Sequence, residues 1–444
     1  MLGRNLINSV LTQIPVFILG IVSGVFSTRI LGEEAKGIFS LFQANYLLFL
    51  LIFSFGIQTG VVYFVSSKKY TEQVVAGISS AIFLVSSSIL LGLLFITYYL
   101  DISSFYLPEN YNTIPYLISL FVLFFLSFFN NLITSFFQAR SKFNIINRVS
   151  IINSVINAAL FPILYFYLQE KQITVVEKFN YVLVATLILL LLNSIIWFYL
   201  YMRQITIIPQ FNAVIVNKIK EFVSYSLLIY IGMFVNFFNY RLDLWIVNHY
   251  LDEKQLSYYS LAANIVQIIL YLSVTIASVI LPKLSNSDDD KRLLIFTQIS
   301  RFSFSFFFLL VFIAFSISYF IIPLMYGEEF IPTIIPFQIL SIGILFSCIT
   351  QIFSMLLVSS NKNIFNIIAC SVGLVFTVVF DIYLIPKFNI NGAAIATLIS
   401  YFAIFVITYI FVITKTTIKT NNLLIPTKKD VVYLYGLVKK SYKK

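Results

Sequence analysis

Apolar runs of membrane-crossing length recur along the whole chain, separated by short polar patches. A transmembrane α-helix needs about 20 mostly apolar residues. About twelve stretches meet that demand, at about 6–28, 38–66, 74–100, 114–138, 145–168, 181–202, 222–247, 257–281, 302–324, 334–358, 364–386 and 392–414. The breaks between them are rich in Gly, Asn, Asp, Lys and Pro, the residues that end helices. The pattern predicts an all-α, polytopic membrane protein. Composition agrees: 60% of residues are hydrophobic and 11% charged, against roughly 25% charged in soluble domains.

The basic residues fall unevenly between the two sides of this plot. The side of the N-terminus carries Arg4, Lys68, Lys69, Arg140, Lys142, Arg148, Arg203, Lys218, Lys220, Lys283, Lys291, Arg292, Arg301, Lys362 and the lysines from Lys415 onward. The opposite side has only Arg29, Lys36, Lys171, Lys178, Lys254 and Lys387. Cytoplasmic loops collect the excess Lys and Arg, so both termini are expected in the cytoplasm. The net charge of +11 follows from this bias and points to membrane lipids, with no nucleic-acid partner. The basic tail over 415–444 suits anionic headgroups. The first apolar run is too long for a signal-peptide core and lacks a small-residue cleavage site, so it reads as a retained helix.

The chain also repeats itself at an offset of 220. Leu31, Glu33, Ser40 and Leu41 recur as Leu251, Glu253, Ser260 and Leu261, and Phe39 as Tyr259. Lys142 recurs as Lys362, each just before a helix. The expected organisation is two six-helix bundles, 1–213 and 214–414, followed by the basic tail. Six is even, so the two halves insert in the same orientation, related by an axis along the membrane normal. Parallel repeats of this kind suit a transporter with a central cavity between the halves. A duplicated channel or scaffold is the alternative.

The loops leave little room for an enzyme. The longest outer ones, Asp101–Thr113 and Gln169–Asn180, are about a dozen residues. There is no phosphate-binding loop and no nucleophile with its base. The single His249 and the two cysteines, Cys348 and Cys370, fall in or beside helices, with no disulfide framework or metal signature. No enzyme activity, cofactor or metal is expected.

Ionisable residues inside a membrane are costly and mark function by default. Arg241 and Asp243 lie in the seventh run, Asp381 in the eleventh, and Arg29 closes the first. All four are expected in the outer half of the membrane. Arg241 and Asp243 stand at i and i+2, which point to different faces of a helix, so each needs another partner or a wet cavity. Guanidinium groups suit an anionic ligand because they bind phosphate bidentately. The plainer reading of Arg241 is snorkelling to the interface. Amides such as Asn236, Asn239 and Gln267 read either as interhelical hydrogen bonds or as cavity lining. Pro15 predicts a kink in the first helix, with Gly20 and Gly24 allowing close helix contact. Pro162 and Pro336 are further kink candidates.

Several of these segments form a familiar series. Arg29-Ile30-Leu31-Gly32, Gly37-Ile38-Phe39-Ser40 and Phe55-Gly56 resemble the N-terminal signature of polysaccharide flippases in the multidrug/oligosaccharidyl-lipid/polysaccharide exporter superfamily. Arg241-Leu242-Asp243, then Ser257-Tyr258-Tyr259-Ser260-Leu261-Ala262 and Leu281-Pro282, resemble its seventh and eighth helices. The segment from Asn389 through Gly392 to Thr397 is similar to its eleventh-to-twelfth turn. The resemblance covers about 15–410 in matching order.

It implies alternating access that carries an undecaprenyl-diphosphate-linked oligosaccharide across the bacterial inner membrane, for O-antigen or capsule. It also implies Na+ or H+ as a coupling ion, and leaves room for other polysaccharide-assembly proteins as partners. On that reading Arg29 and Arg241 are candidates for the diphosphate or glycan, and Asp243 for an ion or a salt bridge. Asp381 is counted with these three as a substrate-binding candidate. A cation-coupled multidrug exporter of the same superfamily and a membrane polymerase or ligase are the alternatives.

Overall fold

The computed structural model describes residues 2–210, 213–285, 287–416 and 423–425. Most of the basic tail, and the side chain of Arg4, lie outside the described residues. The described chain is helical throughout its long elements. They are α1 (Leu2–Ser54), α2 (Ile57–Ser66), α3 (Glu72–Tyr99), α4 (Ile114–Ala139), α5 (Phe143–Leu168), α6 (Val175–Gln204), α7 (Ala213–Tyr250), α8 (Glu253–Ser285), α9 (Asp289–Tyr326), α10 (Ile334–Ser359) and α11 (Ile364–Lys415). Nine helices among the described residues are long and apolar enough to cross a membrane.

Two of those nine, α1 and α11, are double. Loops were expected at about 28–38 and 386–392, but each hairpin is a one-residue break. Gly32 takes φ 67, ψ −171, a region in which essentially only glycine is at ease. Asn389 takes φ 52, ψ −138. The second arm of α1 is broken again at Phe55 and Gly56, both at positive φ, and α2 completes it. With α1 and α11 counted as two arms each, these nine helices give eleven apolar arms among the described residues, and α7 is a twelfth arm of comparable length. It is a polytopic, all-α membrane protein.

The chain folds as two compact units. Unit 1 holds Met1–Phe237 and Asp252–Ser257; unit 2 holds Phe238–Leu251 and Tyr258–Lys444. The first part of α7 therefore packs with α1–α6. Glu221 accepts hydrogen bonds from Lys69 Nζ and Tyr70 Oη, and this contact raises the Lys69 pKa. Tyr230 Oη donates to the Leu51 carbonyl. The α7–α8 turn also belongs to unit 1: Lys254 Nζ lies 2.6 Å from Glu33 and 3.2 Å from Glu34. Gly37 sits so close to this turn that a Cβ would come within 2.1 Å of the Glu253 carbonyl oxygen. Gly20 and Gly24, expected to permit such contacts, meet nothing within 4 Å. The close approach is one helical arm further on.

The core of unit 1 is interleaved aromatic and branched aliphatic side chains. Phe42, Tyr111 and Tyr116 each pack edge-to-face with Phe179, with centroids 4.8–5.6 Å apart, a favoured aromatic geometry. In unit 2, α10 is the most enclosed helix and packs along α11. Pro162 interrupts α5 without a non-helical residue, and Pro336 lies in the first turn of α10, where proline is tolerated.

The offset of 220 has a structural counterpart. α4 and α10 end in the same helix-stop turn. Ser141 and Asn361 take φ 56 and 55. Lys142 N–H donates to the Phe137 carbonyl at 2.9 Å, and Lys362 N–H to that of Leu357 at 2.7 Å. Ser141 N–H donates to Gln138 and Asn361 N–H to Val358. These are Schellman caps, in register at every position.

Candidate functional site

Unit 2 buries a polar constellation inside a largely apolar bundle. The second part of α7 supplies Asp243, α8 supplies Tyr259, and the two arms of α11 supply Asp381 and Thr397. All four are buried; Asp381 and Tyr259 are 0% exposed. Asp243 Oδ1 accepts the Leu244 N–H at 2.9 Å, and Oδ2 accepts the Tyr259 hydroxyl. That hydroxyl also lies 3.1 Å from Thr397 Oγ1. Asp381 differs: neither of its carboxyl oxygens meets a hydrogen-bond partner. It lies within electrostatic reach of Asp243.

Native interiors seldom leave polar atoms in this state. Taking an ion out of water costs several kcal/mol even after relaxation, and a second carboxylate nearby adds repulsion. A monovalent cation or a proton removes both penalties. Carboxylate and hydroxyl oxygens are the donors a hard cation takes. No group of three or more His, Cys, Asp or Glu side chains gathers as a metal site among the described residues. The donors gathered here are all oxygens, the type hard cations take, with no imidazole or thiolate among them.

Arg241 stands two residues before Asp243 and faces elsewhere, as the i, i+2 spacing requires. It is half-buried. Its Nη1 lies 3.4 Å from Asn264 Oδ1 and its Nη2 3.1 Å from Gln267 Oε1, both on α8. Arg29 lies in unit 1, half-buried on α1, three residues before the Gly32 break.

The structure thus brings both Asp381 and Arg241 within electrostatic reach of Asp243, while the hydrogen bonds of Arg241 go to Asn264 and Gln267. Sequence reasoning took Tyr259 and Thr397 only as parts of motifs, although Tyr259 is where the repeat exchanges a phenylalanine for a hydroxyl. Asn239 acts as helix glue, donating to the Cys370 carbonyl at 2.9 Å. Gln267 was legible as an intramembrane amide; Asn264 was not singled out. Cys348 is buried and Cys370 half-buried, both as free thiols. His249 is exposed against the Tyr250 ring.

No curated protein matches the chain in sequence. Among solved structures, the lipid II flippase MurJ shares the fold with a TM-score of 0.72 at 20% identity, over 96% of this chain and 91% of that one. A multidrug resistance MATE family transporter of the MOP superfamily gives 0.70 at 14% identity, over 90% and 94%. The MATE transporter ClbM in complex with Rb+ gives 0.55 at 15% identity, over 93% and 95%. The fold neighbours are thus transporters and flippases. The family described as "Polysaccharide biosynthesis protein" matches residues 2–288, most of the chain, and the protein belongs to that family.

Proposed function

We propose that the protein is a flippase that translocates undecaprenyl-diphosphate-linked oligosaccharide repeat units across the bacterial inner membrane by alternating access. The polymer it feeds is of the O-antigen or capsule type. The observation that carries this reading is membership of the polysaccharide biosynthesis family by a chain with the fold of a lipid II flippase. The excess of Lys and Arg on the N-terminal side supports cytoplasmic termini. Arg241 and Arg29 are the substrate-binding arginines in this reading.

Asp243 and Asp381 are the seat of a coupling cation, Na+ or H+. The orphaned oxygens of Asp381 support this, because a transported cation needs ligands that are not already satisfied. A cation-coupled drug exporter is the second reading, favoured by the same carboxylates and by the likeness to MATE transporters.

Complementation separates the two. A strain lacking its own repeat-unit flippase receives the wild-type gene, Arg241→Ala or Asp381→Asn. The expected result is surface polymer with wild type, and lipid-linked intermediate trapped in the cytoplasmic leaflet with either variant. Absence of rescue in a matched glycan background, with the protein in the membrane and drug efflux restored instead, would establish the exporter.

A further inference from the structure

The turn between α2 and α3 carries a charge that its repeat does not share. At the offset of 220, Lys68, Lys69 and Tyr70 correspond to Asp288, Asp289 and Asp290. Both turns fall on the side of the N-terminus, where the excess of Lys and Arg lies. That excess belongs to a whole side of the protein, so it does not explain why one half is basic and the other acidic at the same place. The backbone gives no reason for the lysine either. Lys68 takes φ 55 just past the end of α2, and its N–H donates to the Val65 carbonyl at 3.1 Å. Gly and Asn are the residues at ease in such a cap, and a lysine stands there against that preference.

The first part of α7, which packs with unit 1, brings more lysines to this turn. Phe64 stacks with Tyr70 at 4.9 Å and 2°, and with Phe222 of α7 at 5.2 Å and 24°. Lys218 Nζ stands 4.5 Å from the Tyr70 ring centre, and Lys69 Nζ 5.7 Å from that of Phe64. Glu221 accepts from Lys69 and Tyr70 and so fastens the junction. Across 68–70 and 218–222 it is the one acid against four lysines, Lys68, Lys69, Lys218 and Lys220. Glu72, the next acid along, is taken by Arg140. Lys68 and Lys220 are exposed, and neither makes an ion pair among the described residues. Unbalanced ammonium groups thus stand around an aromatic stack.

We infer that this junction of α2, α3 and α7 is a docking site for the headgroup of an anionic phospholipid. Its depth identifies the occupant. The apolar helix α2 ends at Ser66, and the apolar run of α3 begins at Glu72, so the lysines lie where hydrocarbon gives way to headgroups. Tyr63, 37% exposed, precedes them by about a turn, as interfacial aromatics do. A basic cluster beside apolar helices attracts anionic lipid, and the long lysine stems let the ammonium groups reach the phosphate layer. An acidic protein would have to reach them through that layer. Because the lysines come from both segments, a bound headgroup ties α7 to the α2–α3 turn and reinforces the contact that Glu221 makes. At the α8–α9 turn the exposed Asp288 and Asp290 repel the same headgroup. Anionic lipid therefore distinguishes the two halves of the repeat, whichever substrate the protein carries.

The test is photo-crosslinking of the purified full chain in nanodiscs, with the labelled segments mapped by mass spectrometry. The probe is phosphatidylglycerol with a photoreactive group near its headgroup, and phosphatidylcholine with the same group is the neutral control. Phosphatidylglycerol should label the segments around Lys68 and Lys220 in wild type, and phosphatidylcholine should label them several-fold less. Lys68→Asn combined with Lys220→Gln should cut that labelling about tenfold or more. The midpoint of thermal unfolding in phosphatidylcholine should hold in this variant, because Asn suits the backbone at 68 and neither lysine carries an ion pair. Lys171→Gln combined with Lys387→Gln, on the opposite side of the sequence plot, should leave the labelling unchanged. Excess inorganic phosphate should not displace the lipid. Equal labelling by the two lipids, or labelling that ignores the Lys68 and Lys220 changes, would overturn the assignment. So would equal labelling of the α2–α3 and α8–α9 turns in wild type, since the charge of the whole side would then decide. Displacement by free phosphate would replace the lipid with a soluble anion. Absence of label at the junction would also overturn the assignment and leave an acidic protein as the partner these lysines fit.

Discussion

The two halves of the repeat carry the same turn and opposite interiors. The caps that end α4 and α10 match in their backbone hydrogen bonds at an offset of 220. One layer inward the chemistry parts. Phe39 of unit 1 corresponds to Tyr259 of unit 2, and Phe161 to Asp381. Phe39 and Phe161 are buried among carbon, and Phe39 meets Phe179 edge-on at 6.3 Å. In unit 2 the same helix pair meets through oxygen, Tyr259 Oη to Thr397 Oγ1 at 3.1 Å. Duplication kept the packing and changed a few atoms. The difference sets positions filled by carbon in unit 1 against positions filled by oxygen in unit 2.

The sharpest way to break that contrast is Asp381→Asn. The carboxyl makes no hydrogen bond, so its loss removes no stabilising contact. Orphaned buried polar groups cost about 1–3 kcal/mol. Thermal stability of the purified protein should hold or rise, while transport in proteoliposomes falls to the level of empty vesicles. On the coupling proposed above, a cation at about 100 times its Kd should stabilise the wild type by about 2.7 kcal/mol, and Asp381→Asn should lose that increment. A destabilised variant that still transports would make Asp381 a structural residue and erase the distinction between the halves.

A reciprocal pair sharpens the comparison with a smaller effect. Tyr259→Phe gives unit 2 the residue of unit 1. It strips Asp243 of a donor and Thr397 of its neighbour, at a cost of about 1–3 kcal/mol. Phe39→Tyr gives unit 1 a hydroxyl beside Phe179, with only carbon to meet it, and should cost a comparable 1–3 kcal/mol, roughly. Chemical denaturation of both variants measures this. The first should also abolish cation dependence of transport, and the second should leave it intact. A neutral Phe39→Tyr would mean that unit 1 is wet at this depth.

How much of this could be read in the chain beforehand follows from the range of each interaction. Twelve passes and the repeat are legible because apolar runs and offsets are one-dimensional. The separate fates of Arg241 and Asp243 follow from helical spacing alone. The tight hairpins were read too long because Gly32 and Asn389 each turn the chain in one residue, and nothing in an apolar run announces a break that short. Three helices, α8, α9 and α10, lie between Asp243 and Asp381 in sequence, so their approach is a property of the bundle. Tyr259 and Asn264 are ordinary helix residues until a neighbour gives them a partner.

The smallest expected effect lies at the rim, where the halves differ in a second way. Arg140 grips Glu72 through two nitrogens and also donates to the Gln204 carbonyl at 3.2 Å. At the offset of 220, Arg140 corresponds to Ser360 and Glu72 to Arg292. Arg292 instead donates to the Leu284 and Ser287 carbonyls. Unit 1 thus ties α3, α4 and α6 together by side-chain charge, and unit 2 ties its own turn by backbone. The arginine and glutamate side chains are 29% and 33% exposed, so solvent screens part of the attraction. Arg140→Ser should destabilise by about 1 kcal/mol and leave transport unchanged. The wild-type advantage should shrink in 1 M salt, where the screening length is about 3 Å. A loss of transport without a loss of stability would place Arg140 in the moving parts of the cycle, and the rim, like the interior, would then divide function between the halves.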